Sequence, residues 1–140
     1  MITQTQCTVF KVNVLSGLEN FASGTPYVYK IALYDANATL AADTTVYTTQ
    51  NEVTGTGYTA GGATLVVIPP TSMNTTAYVS FQNATWSSSS FTCRGALIYN
   101  STTGSAVAVL NFGSDKTATN TFTITFPTNN ASDAIIRLSN

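Results

Sequence analysis

The chain has 140 residues, 44% of them hydrophobic but only 8% charged, with five Lys and Arg against six Asp and Glu and no histidine. A formal net charge of −1 leaves no basic cluster to neutralise phosphates or to hold an anionic lipid surface, so neither nucleic acid nor membrane is expected as a partner. Average soluble domains carry roughly 25% charged residues; here polarity comes from Thr, Ser and Asn instead, roughly a third of the chain.

The opening Met1–Gln6 has neither the basic region nor the apolar stretch of a secretory leader, so the expectation is a chain made in a cytosol, or one that has been trimmed. Phe10, Val12 and Val14 alternate with Lys11 and Asn13, so Thr8–Leu15 is expected to be a first strand with one wet and one dry face. A single helical turn near Ser16–Ala22 is the most helix expected, because Thr and the other β-branched residues lose χ1 freedom in helices. Tyr27–Tyr34 reads as the next strand, and Thr44–Thr48 as a short additional one. Residues 43–62 are otherwise rich in Thr and Gly, and Gly55–Gly62 has no apolar period at all, which predicts a long polar surface excursion. Ala63–Ile68, Ala77–Phe81, Phe91–Tyr99, Ala106–Phe112, Thr121–Phe126 and Ala134–Leu138 complete about eight main strands, each bounded by Gly, Pro, Asn or Ser. Asn100-Ser101-Thr102-Thr103-Gly104 separates two of them as a hairpin loop with Gly in the left-handed region, making Phe91–Tyr99 and Ala106–Phe112 antiparallel neighbours.

No linker composition and no internal repeat divides the chain, so residues 1–140 are expected to form one domain. The fold class that follows is all-β, a single antiparallel β-sandwich with jelly-roll wiring. The longest apolar run, Leu65–Ile68 followed by Pro69 and Pro70, is far too short to span a bilayer.

Without histidine the Ser-His-Asp and Cys-His nucleophile arrangements are excluded. The six acids, Glu19, Asp35, Asp43, Glu52, Asp115 and Asp133, are scattered, no two closer than eight residues, so neither an acid/base pair nor a local calcium loop is expected. No catalytic residue, cofactor or metal ligand is therefore assigned. Gly55–Gly62 lacks the Gly-Lys-Ser/Thr ending of a phosphate loop. Cys7 and Cys93 are expected as two small buried thiols, with a disulfide between them as the alternative. Five Asn-x-Ser/Thr triplets, at Asn37, Asn74, Asn83, Asn100 and Asn130, are expected by chance at this Thr and Ser content. An isopeptide crosslink would need Lys11 or Lys30 buried beside a carboxyl group.

Trp86 stands at the end of a strand-like run and reads either as a core plug or as a sugar-stacking ring. Tyr47 and Tyr58 lie in the polar excursion, where an amphipathic ring can anchor a protein contact. These three residues, Tyr47, Tyr58 and Trp86, are the partner-interface candidates.

Four segments carry a resemblance: Tyr29–Tyr34 (YKIALY), Asn51–Gly62 (NEVTGTGYTAGG), Arg94–Asn100 (RGALIYN) and Ala106–Gly113 (AVAVLNFG). In that order they resemble small virion structural proteins of tailed bacteriophages, of the capsid cement or decoration type, over roughly Tyr29 to Thr117. The resemblance implies a non-enzymatic protein on the capsid surface of a virion, made in the host cytoplasm, whose partner is the major capsid protein and which bridges neighbouring capsid subunits. Strand edges of Thr and Ser without inward charges are poorly protected against pairing, so a homo-oligomer, dimer or trimer, is expected. The alternative is a head- or tail-fibre module in which Trp86, Tyr47 and Tyr58 contact host surface glycans. The segment before Tyr27 lies outside the resemblance.

Overall fold

The computed structural model describes all residues from Met1 to Asn140. The chain folds as β1 (Thr5–Gln6), α1 (Thr8–Leu15), β2 (Tyr29–Tyr34), β3 (Ala63–Thr64), β4 (Val67–Met73), β5 (Thr76–Phe81), β6 (Ala84–Trp86), β7 (Phe91–Asn100), β8 (Ala106–Ala118), β9 (Phe122–Ile124) and β10 (Ile136–Leu138). The all-β, antiparallel class expected from the period of 2 is what these ladders show. They divide into a five-stranded sheet of order β1-β8-β7-β2-β3, a three-stranded sheet β10-β5-β4 and a ribbon β6-β9. Jelly-roll wiring and a count of eight strands are not established by this division.

The central pair explains the architecture. In β2 and in the inner half of β7 almost every residue is buried, not every second one, so both faces of the large sheet are covered. On one face Phe21 stacks on Tyr29 at 4.4 Å and meets Phe81 of β5 edge-on at 6.1 Å, which brings the three-stranded sheet over this side. On the other face Tyr47 stacks on Tyr99 at 4.6 Å, and the Tyr34 hydroxyl donates to the Thr48 carbonyl at 2.6 Å. The segment 43–62 is thus the cover of the second face. Many of its residues remain exposed as the chain crosses from the β7–β8 hairpin, where the Tyr47 amide donates to the Gly104 carbonyl, to the edge of β2, where Val53 donates to Leu33. Thr44–Thr48 forms no strand, only a single bridge between Val46 and Ser105.

A second correction concerns Thr8–Leu15, which is a helix and not a strand. Alternation would align Phe10, Val12 and Val14, but in the structure Phe10 is buried, Val14 packs on the core and Val12 is 56% exposed. The spacing Phe10 to Val14 is the i, i+4 of a helical face. The helix ends in a Schellman motif: Leu18 donates to the Asn13 carbonyl, Gly17 donates to Val14, and Gly17 has φ +72°. Its low propensity is overridden by burial of Phe10 against Phe21 and by a hydrogen bond from Asn13 Nδ2 to Ser105 Oγ.

The hairpin between β7 and β8 forms as expected, with Gly104 at φ +82°. Asn100 is fully buried beneath it, its Oδ1 accepting the Thr102 and Thr103 amides while Nδ2 donates to Glu19 Oε2. Cys7 and Cys93 are both buried and free. No helix is long and apolar enough to cross a membrane.

Candidate functional site

The three aromatic side chains singled out from the sequence all turn inward. Trp86 is 6% exposed and packs among Tyr58, Phe91 and Phe122, with centroid distances of 6.3, 6.5 and 5.9 Å. Tyr47 and Tyr58 are half-buried, and both donate their hydroxyls to one carboxylate: Tyr47 to Glu52 Oε2 and Tyr58 to Glu52 Oε1, each at 2.6 Å. The Gly61 amide also donates to Oε1 at 2.7 Å, a third donor to the carboxylate. Glu52 is itself buried and has no cation within 4 Å, so its charge is held by hydrogen bonds alone.

This node is built by local backbone geometry. Glu52 bridges Tyr34 at the edge of β2, and Gly62 brings the returning chain so close that a Cβ there would lie 1.8 Å from the Ile31 carbonyl oxygen. The Tyr58 hydroxyl accepts the Leu33 amide at 2.9 Å, which satisfies a donor that the short β3 leaves unpaired. Burial first, and then the bond to Glu52, push the Tyr47 and Tyr58 phenols above their ordinary range; Tyr34 and Tyr99 are raised by burial and by the nearby Glu52 charge. Such phenols hold their protons firmly, so the arrangement anchors the chain. No sequence period marks Glu52; its signal was only a lone acid flanked by tyrosines.

The other acids are dispersed as their spacing suggests. Asp115 pairs with Arg94 at 3.1 Å on the surface, and Glu19 accepts from Tyr29 and Asn100. No three His, Cys, Asp or Glu side chains come together. Lys11 is exposed, and Lys30 has no carboxylate within 4 Å. Burial pushes the Cys7 thiol up to about 11 and the Cys93 thiol up to about 12, with the charges of Asp43 and Asp115 adding to the respective shifts.

What the surface offers a partner lies elsewhere. On the outward side of α1 and just beyond it, Val12, Leu15 and Leu18 stand free of the core, Leu15 at 89% exposure. Behind the helix an apolar groove of about 110 Å³ runs between Phe10, Val14 and Phe21 on one side and Ala77, Val79 and Leu138 on the other. Exposed apolar side chains grouped on one element are a feature of contact surfaces. The sequence held the signal for them in Gly17, a helix-stop residue, which converts the period of Thr8–Leu15 from 2 to 3.6.

Comparison with family models, with curated proteins and with solved structures finds no match to this chain.

Proposed function

We propose that the chain is a non-enzymatic virion protein, a capsid cement or decoration protein that binds the outer capsid surface and bridges neighbouring major-capsid subunits. The observation that carries the proposal is the ordered resemblance of four segments, Tyr29–Tyr34, Asn51–Gly62, Arg94–Asn100 and Ala106–Gly113. In space these segments are neighbours: β2 pairs with β7, β7 with β8, and 51–62 lies against the β2 edge and the second face. A shared scaffold of this kind leaves partner choice to the parts outside it, and α1 with Val12, Leu15 and Leu18 is such a part. Apolar contacts on a nearly uncharged body hold across a wide range of salt, and many copies on a lattice multiply modest contacts by avidity.

The test is copy number and shell strength. Quantitative staining of purified particles, with heads separated from tails, should find hundreds of copies with the heads, on the order expected for a lattice-bound protein acting by avidity. Particles lacking the chain should lose integrity at lower temperature or milder osmotic shock than complete ones. A handful of copies on tails, or equal robustness with and without the chain, would refute a cement role.

A further inference from the structure

At the end of the molecule away from the β7–β8 hairpin, the pairing of β7 with β8 is interrupted. Cys93 pairs with Lys116 and Gly95 with Asn111, so a single residue, Arg94, is set against the four residues Phe112–Asp115. Gly113 takes φ +78° in this bulge, and its amide is held by Asn111 Oδ1 at 2.9 Å. Bulges of this type re-aim side chains and are common beside binding sites. Here the bulge borders an open groove of about 530 Å³.

The groove has two kinds of wall. Phe112 and Phe122 are both half-exposed, their rings 6.3 Å apart and inclined at 56°, giving an apolar corner. The groove is also lined by Asp115, Lys116, Thr117, Thr123 and Thr125, and the Lys116 ammonium donates to Ser114 Oγ at 3.0 Å. Arg94 Nη1 holds Asp115 Oδ1 at 3.1 Å, which orients the carboxylate and leaves Oδ2 to accept from a ligand. Thr117 and Thr123 are tied to Thr92 and Thr85 by hydroxyl pairs at 3.1 and 3.2 Å, so two of the polar groups are already positioned.

We infer that this groove, formed by the bulge at Phe112–Asp115 and the free edge of β9, is a saccharide-binding site. A pyranose ring presents C–H groups on one face and a belt of hydroxyls at its rim, each both donor and acceptor. Aromatic carbon at the corner with carboxylate, ammonium and hydroxyl groups around it matches that division. An apolar peptide or a lipid tail would make no use of the polar rim, and a polyphosphate would meet the Asp115 carboxylate. The inference is independent of any capsid role, and it places saccharide contact on a surface apart from Tyr47 and Tyr58, which are half-buried, and from Trp86, which is buried.

The test uses the purified full chain, titrated separately with maltotetraose, chitotetraose and tetragalacturonate up to about 10 mM, enough to saturate a site with Kd near 1 mM, while backbone amide shifts are followed by NMR. At least one probe should move amides of 112–117 and 122–125 together and in a saturable manner. Phe112→Ala should weaken that probe about three- to tenfold, the equivalent of one aromatic contact. Because Phe112 also packs on Phe122, the exposed Asp115→Ala provides a second variant, expected to weaken binding without lowering the unfolding midpoint. Absence of shifts with all three probes, shifts mapping elsewhere, or unchanged affinity in both variants would overturn the assignment.

Discussion

The Tyr58 hydroxyl donates to Glu52 at 2.6 Å and at the same time accepts the Leu33 amide at 2.9 Å. One phenol therefore couples a buried carboxylate to the edge of the central strand, and the cover over the second sheet face is fastened at this point. Removing either partner strands the others: Tyr58→Phe leaves the Leu33 amide without its acceptor, and Glu52→Gln places an NH₂ group against hydroxyl donors. Each is expected to cost about 1–3 kcal/mol. The double variant should cost less than the sum, because the two share one network. Urea unfolding of the four proteins measures this, and strict additivity would show that the two residues act separately.

Alkaline pH should weaken the fold. Tyr29, Tyr34, Tyr47, Tyr58 and Tyr99 all have phenols raised above their usual value, with burial the leading cause, and the thiols of Cys7 and Cys93 move from 9.0 to about 11 and about 12. The unfolded chain releases these protons first, near pH 9 for thiols and near 10 for phenols, so above that range it binds fewer protons than the native state. The resulting stability is complete below about pH 9 and falls as pH rises toward the folded values. Urea midpoints should therefore be level between about pH 7 and 8.5 and decline beyond about pH 9. A midpoint rising over that window would contradict the burial of these groups. The two thiols should also resist a thiol reagent under native conditions and react once the chain is unfolded.

Two glycines separate conformational strain from collision. Gly17 has φ +72° with nothing within 4 Å of an added Cβ, whereas at Gly62, φ +77°, the same atom would lie 1.8 Å from the Ile31 carbonyl oxygen. Gly17→Ala should cost about 1 kcal/mol, the penalty of a left-handed backbone alone. Gly62→Ala must in addition push 61–62 off β2 and so loosen the Glu52 node; its cost should exceed about 3 kcal/mol, in the range reserved for disrupted packing. Thermal unfolding of both variants ranks them, and equal shifts would mean that the cover does not approach β2 so closely.

The parts of this fold that sequence reveals are those whose burial follows a local period. β7, β5 and the β7–β8 hairpin are continuous apolar or alternating runs bounded by turn residues and occur close to where the pattern puts them, whereas β8 begins at Ala106 as expected but runs on past Phe112 to Ala118. Thr8–Leu15 reads as a strand because Phe10, Val12 and Val14 alternate; that it is a helix follows from the placement of Phe10 against Phe21, which is a tertiary fact, with Gly17 closing it. The cover at 43–62 was illegible for a different reason. It is held by tyrosine hydroxyls, a buried carboxylate and close glycine contacts, none of which leaves a hydrophobic rhythm. The same cause hid the groove at Phe112: a bulge changes which residues share a face, and the pattern along β8 carries no mark of where its partner skips.

The exposed face of α1 gives the most direct handle on the proposed capsid role. Leu15 is 89% exposed and Val12 56% exposed, so neither contributes much to the core, and charged substitutions there should change stability by less than about 0.5 kcal/mol. If these side chains are buried against a capsid subunit, Leu15→Glu loses their apolar contact and places a desolvated charge in the interface. With avidity multiplying each site, even a tenfold loss per contact should deplete the chain from particles. Particles reconstituted with wild-type or Leu15→Glu protein, sedimented and stained for copy number, measure this directly. Full occupancy by the variant would move the contact surface away from α1, whereas loss of binding with an unchanged unfolding midpoint would assign it there.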